Sequence, residues 1–297
     1  MRILLTGATG FIGAHVARAL VARGVDVHGI VLPGAPRDRL AEVASQMELR
    51  EGDLTDEAWV RDAIRSIAPD AAIHLAWYAE PRSYLRAVPQ NLASLRGGLN
   101  LLEALADGGT CHRVVLAGTC LENLTTPEPT IYAAAKAAQH RLALGLTERS
   151  MTAACAHIHY LYGPGEDERR VIPTVIRSLL RGEQIDVTDG MQSRDYLHVA
   201  DVAEALCRVA ESSLTGGVDI CTGAPVRLRD VFDEIARATG RAELLRIGAL
   251  KDSGSTGWPA TGDPTALLTT GWQPRYNLHQ GIQDTTAWWS IRERSGQ

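Results

Sequence analysis

Three side chains near the middle of the chain could do acid–base chemistry together. Thr119 follows the apolar run "RVVLAG" (113–118), Tyr132 comes thirteen residues later, and Lys136 stands four further on, in "YAAAK". Residues four apart share one helix face, so this phenol and this ammonium can reach the same ligand. An ordinary phenol, with a pKa of about 10, is a poor acid–base group at neutral pH. A neighbouring ammonium favours the phenolate and is expected to lower that value. The bland alternative is a tyrosine packed in a helix interface beside a solvated lysine.

A second constellation opens the chain. "LLTGATGFIG" places Gly7, Gly10 and Gly13 between a first apolar strand and a first amphipathic helix. Glycines there let the backbone turn tightly and approach a pyrophosphate, which sits against the positive helix N-terminus. A glycine triplet alone is weak, since plain loops use glycine too. Its position at the start of a βα unit is what points to a dinucleotide. The spacing is G-x-x-G-x-x-G.

These residues need a frame, and the chain spells one out. Strands are expected at 2–6, 27–32, 71–77, 113–118 and 153–163, with helices at 11–23, 56–67, 92–106 and 131–149 between them. Strand–helix alternation with continuously apolar strands predicts an α/β fold, a Rossmann-type doubly wound parallel sheet. Beyond about residue 165 the pattern loosens and Pro, Gly and Trp become frequent, with a loop at "GWPATGDPT" (257–265). We expect a dinucleotide-binding domain over 1–165 with returning segments around 185–225. Residues 166–297 are then mainly a smaller C-terminal substrate-binding α/β cap.

Composition excludes several classes. The net charge of -5 offers no basic footprint for nucleic acid. The five cysteines (Cys111, Cys120, Cys155, Cys207, Cys221) are scattered and form no C-x-x-C pair, so neither a disulfide framework nor a metal site is expected. That cysteine usage fits a reducing cytoplasm. The apolar start is too short for a signal peptide, and no apolar run approaches a membrane span.

The glycine turn together with Tyr132-x-x-x-Lys136 resembles the short-chain dehydrogenase/reductase family. Further landmarks are "GDLTD" (52–56), "HLAW" (74–77), Asn91, "YLYGPGE" (160–166), "RDYLHVADVA" (194–203) and "GW" (271–272). They resemble the extended branch, the nucleotide-sugar epimerases, dehydratases and ketoreductases, over nearly the whole chain. "AGTCLE" (117–122) is most similar to the nucleotide-6-deoxysugar 4-ketoreductases. Dehydratases of this branch carry Asp-Glu directly after the catalytic threonine, where Cys120 and Leu121 stand here. Glu122 offers a substitute carboxyl but reads first as a local hydrogen-bonding residue, and Cys120, with no partnered histidine evident for a nucleophile, reads as packing. The loop "LTTPEP" (124–129) looks trimmed against the family.

The resemblance implies roles residue by residue. Thr119 would hold the reacting oxygen, Tyr132 would move its proton, and Lys136 would also bind the nicotinamide ribose. The dinucleotide would lie against Gly7, Thr9, Gly10, Phe11, Ile12 and Gly13, against Asp53 and Leu54, and against Leu75 and Ala76. Trp77, Tyr78 and Tyr160 would line a sugar pocket. Arg194 and, more weakly, Arg275 would grip the nucleotide diphosphate of an NDP-sugar substrate. Each has a competing reading: an ion pair of Arg194 with Asp195 or Asp201, a turn or cap for Asp53, core packing for the aromatics. His157 reads as a satisfied core histidine and His198 as structural.

NAD binders of this kind place a carboxylate near position 31 for the ribose hydroxyls. This chain has Val31 and Leu32, then Arg37 and Arg39, which favours NADP, with NAD as the alternative and two solvated arginines as the bland reading. The expected activity is NADP-dependent 4-ketoreduction of a nucleotide-linked 6-deoxyhexose. A 4-epimerase is the alternative, and a non-catalytic dinucleotide-sensing protein is the reading from another class. The resemblance also implies a homodimer paired through the helices at 92–106 and 131–149.

Overall fold

The computed structural model of the protein describes residues 1–123, 129–146, 151–251, 258 and 260–295. Most of the loop 124–129 and part of the loop 257–265 lie outside the described residues, as does the end of the helix expected over 131–149. The chain divides into two compact units. The first holds Met1–Ile158, Ala203–Ile220 and Thr265–Trp272; the second holds His159–Val202, Cys221–Pro264 and Gln273–Gln297.

In the first unit, β1 (Arg2–Thr6), α1 (Phe11–Ala22), β2 (Asp26–Val31) and β3 (Glu48–Glu51) are followed by α2 (Glu57–Ile67) and β4 (Ala71–His74). Then come α3 (Val88–Gly108), β5 (Arg113–Thr119), α4 (Ile131–Gly145) and β6 (Thr152–Ile158). The seven-stranded sheet has the order β11-β6-β5-β4-β1-β2-β3, where β11 is Gly216–Ile220. Every pairing in it is parallel. The chain runs outward from β1 to β3, then restarts at β4 on the other side of β1. With right-handed crossovers this reversal puts the two sets of helices on opposite faces, and it leaves a crevice at the carboxyl ends of β1 and β4. That is the doubly wound sheet expected from the alternation of apolar strands and helices.

Local chemistry sets the element ends that matter. Asp56 caps α2 by accepting the Trp59 N–H at 3.1 Å, and Thr130 caps α4 by accepting the Ala133 N–H at 3.2 Å. The latter cap fixes where the helix carrying Tyr132 and Lys136 begins. No side chain caps α1, whose N-cap is Gly10. The core of this unit joins Leu4, Ile30, Ile64, Leu101, Leu105 and Val114 from strands and helices far apart in sequence.

In the second unit, β7 (Tyr160–Tyr162) precedes α5 (Val171–Leu180), β8 (Ile185–Val187), β9 (Ser193–Arg194) and β10 (Tyr196–His198). The helix α6 (Val199–Glu211) then leads back into the first unit. After β11 the second unit resumes with β12 (Val226–Arg227), α7 (Leu228–Thr239) and β13 (Leu245–Ile247). The short α8 (Thr265–Leu268) belongs to the first unit, and α9 (Leu278–Ser295) ends the chain. Small two-stranded sheets pair β10 with β7, β12 with β9 and β13 with β8. Tyr162, Ile176, Phe232, Ile235, Ile282 and Trp289 form the core.

One expected strand is corrected. The apolar run 153–163 is two strands, since β6 ends at Ile158 and β7 pairs with β10 instead of continuing the large sheet. An apolar run carries no record of which partner each half will find. The strand expected over 71–77 also stops at His74, and the helix expected from residue 92 starts at Val88 with a proline in its first turn. None of the five cysteines is in a disulfide, and all are buried. No helix among the described residues is long and apolar enough to cross a membrane.

Candidate active site

The crevice between β1 and β4 is built by their last residues. Thr6 Oγ1 shares a hydrogen bond with His74 Nδ1 at 2.7 Å and accepts the Ala76 N–H at 3.2 Å. Burial first, then the Lys136 charge, pushes His74 down to about 3, so its ring is neutral at physiological pH. Gly7 has φ +73°, and a Cβ there would lie 2.7 Å from the Ala76 nitrogen and 2.8 Å from the Leu75 carbonyl carbon. Only glycine both adopts that backbone and clears the neighbouring segment. A Cβ on Gly13 would overlap the Gly7 carbonyl, so α1 can seat on the turn only without one.

The residues fit the dinucleotide implied by the glycine spacing. The first turn of α1, Phe11–Gly13, has no side-chain cap, which leaves donors and positive dipole for a phosphate. A Cβ on Gly10 would meet only the Gly7 carbonyl, at 3.1 Å, so the approach above it is open. Gly7, Gly10, Gly13, Leu75 and Ala76 therefore come together, with Thr9, Phe11 and Ile12 in the same turn. Asp53 stands in a turn where Oδ1 accepts the Thr55 N–H at 2.8 Å, the competing structural use foreseen for it. Leu54 is buried under α3, with its carbonyl accepting from Asn100 Nδ2 at 2.9 Å. Arg37 makes an exposed ion pair with Glu51, a carboxylate that any phosphate would have to displace.

Thr119, Tyr132 and Lys136 also converge. Thr119 ends β5, with its N–H donated to Glu122 Oε1 at 2.7 Å and its hydroxyl accepting the Leu121 N–H at 3.3 Å. The Tyr132 ring meets Tyr84 edge-on at 4.9 Å and Trp77 at 6.4 Å. Lys136 donates to the Ala117 carbonyl at 2.6 Å and lies 3.9 Å from the centre of the Trp77 ring. Trp77 is itself pinned, its Nε1 donating to Asn91 Oδ1 at 2.9 Å. The buried Asn91 holds the loop before α3 through Tyr84 O at 2.7 Å and Ala87 O at 2.9 Å. Tyr78 bonds Ser83 through its hydroxyl at 3.0 Å.

The electrostatics correct one expectation. The Tyr132 phenol is raised well above the ordinary value, first by burial, then by Tyr84 and Glu122, with the Thr119 hydroxyl pulling the other way. Burial lowers Lys136 to about 8 against the pull of Glu122 and Cys155. The one-turn spacing does bring phenol and ammonium to one face, but desolvation is the largest influence on each. Burial would raise Glu122, yet hydrogen bonds from His140, His157 and the Thr119 N–H hold it at about 2, an ionised carboxylate behind Thr119.

The second unit places the remaining candidates. The Arg194 guanidinium lies 5.1 Å from the centre of the Tyr160 ring, and its Nη1 donates to Ser193 O at 2.7 Å. Tyr160 also stacks on Trp258 at 6.5 Å. The oxygens of buried Asp195 accept from Thr222, Gly223 and Thr261. Arg275 is tied to Asp201, which accepts its N–H at 3.0 Å and lies 3.6 Å from its Nε. His198 packs on Tyr276 at 4.1 Å. Sequence reading gave no role to Thr6, His74 and Tyr84, although Thr6 lies in "LLTGATGFIG" and His74 opens "HLAW"; the signal for Thr6 and His74 is their place at the ends of adjacent strands.

Residues 3–220 match the NAD dependent epimerase/dehydratase family. Among similar proteins, a Streptomyces dTDP-4-dehydro-6-deoxy-D-allose reductase is 26% identical, over 98% of this chain and 97% of that one. The GDP-6-deoxy-D-mannose reductase of Pseudomonas aeruginosa is 27% identical, over 99% of this chain and 98% of the relative. The structure of UDP-glucose 4-epimerase from Thermus thermophilus in complex with NAD superposes with a TM-score of 0.85 at 28% identity, covering 97% of this chain and 99% of that one.

Proposed function

Because the chain belongs to the NAD dependent epimerase/dehydratase family, we propose that it is an NADP-dependent reductase of the 4-keto group of a nucleotide-linked 6-deoxyhexose. The observation that carries the reading is the convergence of Thr119, at the end of β5, with Tyr132 and Lys136 of α4, both of which lie against the Trp77 ring. A protonated phenol there gives a proton in the reductive direction. When bound, the reduced nicotinamide supplies the hydrogen and electron pair for C4. Tyr132 donates its proton to the carbonyl oxygen, and Thr119 orients that oxygen by hydrogen bonding. Lys136 binds the nicotinamide ribose, and its positive charge stabilises the Tyr132 phenolate left by the proton transfer until solvent reprotonates it. Gly7, Thr9, Gly10, Phe11, Ile12 and Gly13 hold the pyrophosphate, and Asp53, Leu54, Leu75 and Ala76 border the rest of the dinucleotide. Arg37 takes the 2′-phosphate. Trp77, Tyr78 and Tyr160 contact the sugar nucleotide, and Arg194 and Arg275 its diphosphate.

One feature argues against the dehydratase reaction of the family: Cys120 and Leu121 follow Thr119 where acid-assisted loss of water would use a carboxyl pair. A second reading, a 4-epimerase, is favoured by the superposition on the NAD-bound epimerase. The two differ in cofactor economy. A reductase releases its oxidised cofactor every cycle; an epimerase retains it through both half-reactions. The cofactor-free protein should be inert, and NADPH should be consumed one-for-one with a nucleotide-linked 4-keto-6-deoxyhexose. Interconversion of two 4-hydroxy epimers with no added cofactor would replace this reading with the epimerase.

A further inference from the structure

Behind Thr119 the first unit gathers a second set of reactive side chains. Glu122 follows β5 in a single tight turn, His140 lies on α4, and Cys155 and His157 alternate onto one face of β6. Glu122 Oε2 lies 3.5 Å from His140 Nδ1, 3.6 Å from His157 Nε2 and 3.8 Å from Cys155 Sγ. All four ligand atoms fall within 4.8 Å of one another. The edges of a tetrahedral zinc site, built from its usual bond lengths, are about 3.3–3.6 Å. The three separations from Glu122 lie near such edges and the others within 4.8 Å, so small side-chain shifts would close the four groups around one ion. Its Glu122 and His157 side chains are 2% and 6% exposed, while His140, at 15%, marks the side from which an ion can enter.

Two independent features suit it to a metal. His157 Nδ1 donates to Asp219 Oδ1 at 3.1 Å, which aims Nε2 at the centre; ligand histidines are oriented by such a carboxylate. The flanking strands also make room. A Cβ on Gly118 would lie 2.5 Å from Cys155 Sγ and 2.7 Å from Glu122 Oε1, and one on Gly217 2.6 Å from His157 Cε1. Gly118 and Asp219 are the register partners of His157 on β5 and β11.

We propose that Glu122, His140, Cys155 and His157 form a structural transition-metal site, with Zn²⁺ as the ion its ligands select. A thiolate with two imidazoles suits zinc and disfavours Mg²⁺ and Ca²⁺, which take oxygen ligands. Thiolate and carboxylate together neutralise the dication. Binding releases the Cys155 thiol proton, and any proton on His140 Nδ1 or His157 Nε2, to solvent; no oxidation state changes. Four protein ligands leave no open position for substrate. The site would act on catalysis only by position, because the other Glu122 oxygen accepts the Thr119 N–H. The ligands stand at 122, 140, 155 and 157, too widely spaced for a short motif.

The test is a titration of the full chain, stripped with a chelator, with Co²⁺ and then Zn²⁺. One equivalent of Co²⁺ should give the intense visible absorption of a tetrahedral site and a near-ultraviolet thiolate-to-cobalt band, both abolished by Zn²⁺. Cys155→Ser should remove the thiolate band, and Asp219→Asn should weaken Co²⁺ affinity by about 10–100-fold. A wild-type chain that yields only the faint spectrum of six-coordinate cobalt overturns the proposal, as does a thiolate band that survives in Cys155→Ser. The cluster is then a metal-free network of buried ion pairs. Should Cys155→Ser fail to fold, the wild-type spectrum alone decides. The readout is spectroscopic, so its failure is separable from failure of the reductase reading.

Discussion

Lys136 donates to the carbonyl of Ala117 at 2.6 Å while lying 3.9 Å from the centre of the Trp77 ring, so this buried ammonium is held by a backbone dipole and a π face. Neither contact replaces the lost hydration, and the cation is lowered to about 8. Its native value lies below the ordinary value of 10.5, so the native state loses the proton first as pH rises. The cost of burying the charge is full below about pH 8 and fades between there and 10.5. If the proposed role needs the ammonium, kcat/KM for the dinucleotide should fall as pH climbs through about 8. A profile flat to pH 10 would remove the cation from the mechanism.

Tyr132→Phe should lower turnover by at least about 100-fold, the worth of a positioned acid–base group, and leave dinucleotide affinity nearly unchanged. The ring contacts with Tyr84 and Trp77 survive this change, so the loss isolates the hydroxyl. Single-turnover reduction at near wild-type rate would sink the assignment.

NADP should bind more tightly than NAD, and the double variant Arg37→Ala, Arg39→Ala should narrow the gap. Arg37 is paired with Glu51, so Glu51→Gln should widen it by freeing the guanidinium for the 2′-phosphate. Fluorescence titrations of both cofactors decide the point; equal wild-type affinities would refute the phosphate clamp.

Gly13→Ala should cost stability and dinucleotide affinity together. Its Cβ would overlap the Gly7 carbonyl, so α1 must shift off the turn. An overpacked contact of this kind costs about 1–3 kcal/mol, visible as a lowered Tm, and the shift misplaces the donors meant for the pyrophosphate. A variant with wild-type Tm and cofactor affinity would count against the close seating of helix on turn.

A homodimer should form through α3 and α4, where Val88, Leu92 and Leu142 are about half exposed. Val88 and Leu92 lie one turn apart on the same side of α3. Sedimentation at micromolar concentration should find a dimer, and Leu92→Glu with Leu142→Glu should give a monomer. A monomeric wild type rules the pairing out.

Some of this protein was legible in residue order alone. Periodicity, glycines at a βα junction and a one-turn Tyr–Lys spacing are local properties, and each of them determines local geometry directly. They sufficed for the doubly wound sheet, for the turn built by Gly7 and Gly13, and for the shared face of Tyr132 and Lys136. What the chain order could not carry is whatever depends on neighbours brought in from elsewhere. The apolar run 153–163 conceals a change of partner at His159, because apolarity reports burial and not pairing. The Tyr132 phenol is raised instead of lowered, because desolvation depends on what covers a group and the i,i+4 rule counts only what is beside it. Arg37 and Arg275 already have the carboxylates of Glu51 and Asp201 beside them. Only the fold joins Glu122, His140, Cys155 and His157, by laying the turn after β5, the helix α4 and the strand β6 against one another. Charge and dielectric act through space, so a group's chemistry is decided when distant segments close around it.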